Sequence, residues 1–400
     1  MRRQRIAVLG LAGIAALLVW SRADAIPAFA RKYQMSCSTC HAPFPRLTPF
    51  GEEFAARGFR LEDPSMEPAR ATDDVGDPLL RLPRDLPLAI RVDGFASWKQ
   101  GATAKSDMEW PWVFKLLSGG PVTNRISYYL YFLVEEGENV GLEDIWVQFN
   151  SIFGAPVDVT VGQFQVCDPM FKRELRLERT DYEIFGRRVG RARVDLTYDR
   201  GIQLNWHAPG KVDAMVEVVN GNGIDAADDE QFDHDNYKNV ALRLVRPFKH
   251  VRVGLLGYWG RERAPEADGT GPTNRTTYVG PDLVIDLGEK WAMSLEVLER
   301  RDDNPDFVTS AHPSYRTRGG FAELHFFPRG QNGRYVLSAL YNKVTSDYEG
   351  GFESFEDPSA ESGSLTLNYL FARNVRGSAE VGRNFETDTS RVSFGLALAF

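Results

Sequence analysis

The residues of this chain best suited to chemistry stand together: Cys37-Ser38-Thr39-Cys40-His41 forms a C-x-x-C-H run. Two thiols three positions apart share one helical turn, and each can form a thioether to a haem vinyl group. His41, next in the chain, would then supply an imidazole nitrogen to the iron. Other chemistries fit less well. A structural zinc site needs a second ligand pair, and no Cys or His occurs between His41 and Cys167. A redox dithiol expects a βαβ context, which is missing here. The spacing therefore points to one covalently bound haem c, with a disulfide or dithiol and a metal site as alternatives. Cys167 has no partner once Cys37 and Cys40 hold haem, and reads as a quiet buried thiol.

The flanks read as a small helical module. Pro27 can open a helix at its first turn, and Phe29 and Tyr33, four apart, share the face leading into the cysteines. Thr48 is the expected N-cap of a second helix, with Pro49 at its first position. Phe50 and Phe54 share a face there, and Gly58 fits the stop. In so small a module the aromatics and a haem would form one core. The stretch resembles the N-terminal haem segment of the fused cytochrome–porin family, outer-membrane monohaem cytochromes that include bacterial iron oxidases. Pro27, Phe29-Ala30-Arg31, Met35-Ser36-Cys37, Cys40-His41, Pro45, Leu47, Phe50-Gly51, Phe54 and Gly58 carry the resemblance, over about 35 residues.

Residues 1–25 carry a different pattern. Arg2, Arg3 and Arg5 precede the apolar run Ile6–Trp20, and Ala23-Asp24-Ala25 is a small-residue cleavage site. This is a secretory signal peptide rather than a retained anchor. Its removal takes away four Arg and one Asp, moving 47 basic against 55 acidic residues to 43 against 54, a net charge of −11. That balance argues against nucleic acid as a partner. Export places the haem module, residues 26–61, in the periplasm or beyond. Residues 62–87, with Pro64, Pro68, Pro78, Pro83 and Pro87, read as an extended linker.

From Leu88 to Phe400 the pattern is alternation. Leu88, Ile90, Val92, Gly94, Ala96 and Trp98 take one face, and Arg91, Asp93, Ser97 and Lys99 the other. The same period of two recurs in Ile126–Val134, Ile145–Phe149, Val157–Val161, Ile202–Trp206, Val212–Val218, Val240–Leu244 and Val251–Leu255. It continues in Trp291–Val297, Tyr335–Tyr341, Leu365–Tyr369, Val375–Val381 and Val392–Phe400, with weaker segments at 110–118, 276–287 and 318–327. The expected count is about 16 strands, most of them long enough to cross a bilayer at a tilt. No stretch after the signal peptide approaches the roughly 18 consecutive apolar residues of a spanning helix. Glu217, Arg243, Arg252, Glu296 and Glu323 fall on the faces opposite Val, Leu and aromatics, as a water-filled lumen inside a lipid belt requires. Short connections such as Pro209-Gly210 alternate with long polar ones such as Asn220–Asn236 and Thr345–Ser362. The fold class is thus an all-β outer-membrane barrel of antiparallel strands carrying a small α-helical c-type haem module. Outer-membrane lipid of a Gram-negative bacterium is its surroundings, and the terminal Phe400 resembles the assembly signal of such barrels.

One segment breaks the alternation. After the strand-like Val159–Gln165, the run from Asp168 to Arg176 turns helical, and Val161-Gly162-Gln163-Phe164 resembles a segment of anion-selective porins where an inward loop narrows the pore. Lys172, Arg173, Arg176 and Arg179 are candidates for that constriction, with a solvated loop helix as the alternative.

The family resemblance implies an electron conduit. A lone haem outside the membrane could not link two sides about 40 Å apart, whereas one inside a barrel lumen is approachable from both. The implied donor is extracellular Fe(II), and the implied acceptor a soluble periplasmic c-type cytochrome, giving iron:cytochrome oxidoreductase activity. Acidic loop residues Asp225, Asp228, Asp229, Glu230, Asp233 and Asp235 could attract cations first, or simply be a solvated loop. Two other classes stand beside it: a solute-selective porin with an accessory or sensory haem, and a haem enzyme. For the sixth ligand the residue reading favours Met66, the only Met or His between His41 and the first strand. A barrel His, Met108, Lys32 or water are the alternatives.

Overall fold

The computed structural model describes residues 28–63, 66, 72–73, 75–77, 79–80, 82–83 and 87–400, apart from 136–138, 167–170, 226–229, 234, 265–270, 310–312 and 350–356. Sixteen antiparallel strands close into a barrel, each paired with its neighbours in sequence. They are β1 Leu88–Lys99, β2 Ser106–Pro121, β3 Ile126–Glu135, β4 Asn139–Phe149, β5 Val157–Gln165, β6 Tyr198–Ala208, β7 Val212–Val219 and β8 Asn239–Pro247. The second half is β9 Val251–Arg263, β10 Thr273–Leu287, β11 Trp291–Asp302, β12 Tyr315–Phe326, β13 Tyr335–Ser346, β14 Ala360–Ala372, β15 Val375–Asn384 and β16 Thr389–Ala399. The ring closes where β16 pairs with β1, and Phe400 and Ile90 exchange both backbone hydrogen bonds at 2.6 and 2.9 Å.

Alternation decides which side meets lipid. On β8 and β9, Val240, Leu244, Val253, Leu255 and Trp259 are exposed while Arg243, Leu256 and Tyr258 are buried. On β14, Leu365 and Leu367 face out and Ser364, Thr366 and Asn368 face in. A closed ladder leaves no unpaired edge, and its outer belt is apolar; both are what a bilayer demands of a spanning sheet. The barrel is of the outer-membrane kind. Tight connections, such as 209–211, 248–250, 288–290 and 373–374, gather at one end, and 166–197, 220–238, 264–272 and 347–359 at the other. In barrels of this class the short-turn end is periplasmic.

The lumen is not the simple water-filled space that charge alternation suggests. Residues 166–197 turn inward, and Val166, Phe171, Tyr182, Ile184, Phe185, Val194 and Leu196 pack on Leu256, Tyr258, Tyr278, Leu298, Phe321 and Leu340 of the wall. Those wall positions are apolar where pure alternation would put polar groups, because they bury a loop rather than meet water. The loop carries one short helix, Glu183–Gly186.

The N-terminal module enters the same lumen from the short-turn end. Its helices are α1 Ala28–Tyr33, α2 Cys37–Cys40 and α3 Pro49–Ala56. Of the stretch 62–87, Val75, Leu79 and Leu80 are exposed, and Thr72–Asp73 pairs with Leu82–Pro83 in a two-residue ladder.

Candidate functional site

The cysteine turn is held from three sides. Ser36 caps α2, its Oγ accepting from Ser38 N at 3.3 Å, and His41 N donates to Cys37 O at 2.9 Å. The Thr48 hydroxyl donates to Thr39 O at 2.8 Å, and Thr48 N donates to Cys40 O at 2.9 Å. The same hydroxyl oxygen accepts from Gly51 N, so a single threonine caps α3 and ties it to α2, as its N-cap reading requires. Gly51 lies so close beneath that a Cβ there would stand 2.2 Å from Cys40 O.

His41 follows directly and is oriented by its own loop. Its Nδ1 lies 2.9 Å from Pro45 O. A carbonyl only accepts, so Nδ1 carries the proton and Nε2 keeps its lone pair, the arrangement second-shell bonds impose on metal-ligating histidines. Burial holds the imidazole below its ordinary pKa and hence neutral. Cys37 and Cys40 are unpaired thiols on one turn. Burial, and then the neighbouring Cys37, push Cys40 up to about 11. Neutral thiols of this kind are poor thiolate ligands for a metal and poor redox dithiols. The residues present, a half-buried thiol pair on one turn followed by an imidazole oriented through Nδ1, fit c-type haem attachment.

Aromatic rings surround the turn and bind it to the wall. Phe54 meets Phe29 and Tyr33 edge-on at 5.7 and 5.1 Å, and Phe29 stacks on Phe59 at 4.5 Å. Phe59 in turn lies 5.2 Å from Tyr129 and stacks on Trp146 at 6.1 Å, both barrel residues. Met35 and Cys40 pack on this cluster. Polar contacts repeat the attachment around the ring: Gln148 Nε2 to Ala56 O at 3.1 Å, Arg31 to Leu88 O at 2.8 Å, Arg252 to Glu52 at 3.7 Å. Gly58, with φ +64°, ends α3 as expected, and a Cβ there would meet Ser127 Cβ at 2.7 Å. The charge of Arg373, in a short turn, reaches Cys37, so the thiols lie toward the periplasmic mouth.

Met66 is not brought into that cluster; it is 68% exposed, its backbone N–H bonded to Asp63 O. Among the alternatives, Met108 is 82% exposed on β2, and Lys32 sits over the Tyr33 ring. Cys167, Asp228, Asp229 and residues 1–25 lie outside the described residues. Asp233 pairs with Lys238, and Asp235 accepts from Tyr237 N and Arg263 N at 2.6 and 2.8 Å, so these two acids hold their loop together. Asp225 and Glu230 are exposed.

The four cationic candidates of the inward loop all meet carboxylates. Lys172 reaches Asp144 at 2.6 Å, Arg173 reaches Glu135 at 2.6 Å, Arg176 pairs with Asp181, and Arg179 reaches Glu109 at 2.5 Å over the rings of Phe95 and Trp112. The segment is an inward loop and not a solvated helix; its described part has only a 3₁₀ turn at Arg173–Leu175. Arg91 of β1 joins loop and module, donating to Glu174 O at 2.6 Å while lying 5.4 Å from the Phe44 ring.

Residues that sequence reading missed are the receiving aromatics, Tyr129 and Trp146, and the neighbours of Glu323. His325 shares its lumen face two positions on, a signal readable from period two. Glu178, which joins both across the lumen, is 145 positions away from Glu323 and has no spacing to betray it.

No protein-family model and no curated protein matches the chain. Solved structures do match in shape. A loop-L8 deletion mutant of OmpT, an outer membrane protein of Vibrio cholerae, aligns with TM-score 0.56 at 11% identity, covering 79% of this chain and 99% of that one. The anion-selective porin of Comamonas acidovorans gives 0.54 at 10% identity, over 79% and 99%. OprB of Pseudomonas putida gives 0.53 at 10%, over 79% and 94%. The fold is a porin fold. Identities this low speak for the fold alone.

Proposed function

We propose that this porin-fold barrel is an outer-membrane electron-transfer protein whose N-terminal module carries one covalent haem c. The observation that carries the reading is a C-x-x-C-H turn inside the lumen, its His41 oriented by the bond from Nδ1 to Pro45 O. Cys37 and Cys40 would hold the macrocycle and His41 would ligate iron, with Met66 proposed as the second axial residue. A haem held there supplies one-electron chemistry at iron. The aromatic cluster of Phe29, Tyr33, Phe54 and Phe59 excludes water from that side of the turn, and the contacts to Gln148, Leu88 and Arg252 fix it against the wall. Position at the periplasmic mouth suits delivery to a soluble c-type cytochrome, and the family resemblance names extracellular Fe(II) as donor.

A second reading has its own support. The loop that turns into the lumen, and the likeness in fold to a porin described as anion-selective, favour a solute-selective channel with an accessory haem. One purified sample separates the two. The electron-transfer reading expects one haem per chain, reduction by Fe(II), reoxidation by a periplasmic cytochrome, and small conductance in planar bilayers. A haem-free protein with large, anion-selective conductance would establish the porin instead.

A further inference from the structure

Glu178 of the inward loop and Glu323 and His325 of β12 form a buried cluster in which one donor atom of each lies within 4.8 Å of the others. His325 Nε2 is 3.1 Å from Glu323 Oε2, and His325 Nδ1 is 3.8 Å from Glu178 Oε1. The two carboxylates thus face different ring nitrogens, and one ion takes only one of these. Donors about 2.0–2.2 Å from an ion stand roughly 3–4 Å apart, so from separations of up to 4.8 Å the side chains must close in by up to about 1 Å around it. The Glu178 side chain is wholly buried, yet its Oε1 makes no hydrogen bond among the described residues. Its other oxygen accepts from Leu177 N at 3.1 Å.

The surroundings look like the outer shell of a metal site. Ser338 Oγ lies 2.9 Å from His325 Nδ1, and the Tyr182 hydroxyl donates to Glu323 Oε1 at 2.9 Å, so imidazole and carboxylate are each oriented by a second residue. Three guanidiniums stand near enough to act electrostatically, but each donates elsewhere. Arg176 goes to Asp181, Arg376 to Leu177 O and Asn368, and Arg46 to Ala42 O. Among the described residues no guanidinium touches the Glu178 oxygen. A lumen cavity of about 70 Å³, lined by Arg91, Glu135, Glu174 and Arg176 among others, reaches Glu178.

We infer that Glu178, Glu323 and His325 bind one divalent first-row transition-metal ion that clamps the inward loop to the barrel wall. Two carboxylates and one imidazole suit zinc or ferrous ions, with the remaining positions taken by water. The clamp is independent of the haem, because none of its ligands comes from the N-terminal module. The rival is a protonated His325 between the two carboxylates, which would need no metal.

The test is equilibrium dialysis of the chelator-treated full-length protein against Zn(II), followed by metal quantitation. One tightly held equivalent is expected. Glu178→Gln and His325→Gln should each weaken it at least tenfold, and His207→Gln, which pairs with Asp158 and Asp213 instead, should leave it unchanged. Heat-modifiable gel mobility checks that each variant still closes its barrel. Should a variant fail to fold, X-ray absorption at the zinc edge of the unaltered protein decides: a single imidazole with oxygen ligands supports the site. No retained zinc, equal retention by Glu178→Gln, or a shell of several imidazoles would overturn it.

Discussion

Gly51 is where the cysteine turn meets the helix beneath it. Any side chain at this position meets the Cys40 carbonyl at 2.2 Å, backbone that has no rotamer to move. Gly51→Ala should therefore displace α2 and lower covalent haem content severalfold in an otherwise closed barrel; full haem staining of that variant would show the contact to be slack. The Cys37→Ala/Cys40→Ala protein should carry no covalent haem, and residual colour on a denaturing gel would rule out the attachment. Met66 poses a sharper question, since its side chain is mostly in solvent. Replacement by Ala should abolish the weak sulfur-to-iron absorption of the oxidised protein and lower its potential. If both persist, the axial position belongs to another residue. Thr48, Gly58 and the C-x-x-C-H run were legible in the sequence because caps, stops and thiol spacing are local. The Pro45 carbonyl that fixes the His41 tautomer was not, because it depends on how four residues fold back.

The inward loop is tied down by a few strong contacts as well as by its apolar side chains. Arg300 on β11 is buried, bonds Asp302 through two nitrogens, and reaches the carbonyls of Arg187 at 2.9 Å and Val194 at 2.8 Å. Removing one member of a buried ion pair leaves its partner uncompensated, at a cost of about 3–5 kcal/mol. Arg300→Met should therefore lower the temperature at which the barrel loses its compact gel mobility, and free the loop to limited proteolysis near residue 187. An unchanged melting temperature would mean that the packing around Phe171 and Phe185 holds the loop alone. Sequence showed that a loop leaves the ladder after β5, through its lost alternation and clustered Arg. It did not show the apolar floor, because Leu256 and Tyr258, Leu298, and Phe321 lie on three different strands, β9, β11 and β12, and meet only when the ring closes.

At the scale of the whole molecule, two bodies share one lumen. The helical module fills the short-turn mouth and the loop crosses further in, with Arg91 touching both. Planar-bilayer conductance of the full chain should accordingly be well below that of open porins of equal strand number. Gly58→Val tests the module's part: its φ of +64° and 2.7 Å approach to Ser127 both oppose a branched side chain. That variant should conduct more, and no change would assign the barrier to the loop. The strand count was legible because period-two alternation, turn residues and span length all agree along the chain. The occupancy of the lumen was not, because alternation reports which way a residue points and not what it meets there.

The seam between β1 and β16 gives this architecture a timetable. The module precedes β1 in the chain and sits within the ring that β16 completes, its thiol turn covered by Gly51, Phe54 and the wall. An enzyme attaching the proposed haem would reach Cys37 and Cys40, half-buried in the docked module, most easily while the segment is still free in the periplasm. On the proposed haem attachment, thioether formation would come before the module docks, and prosthetic-group loading would be a checkpoint in biogenesis.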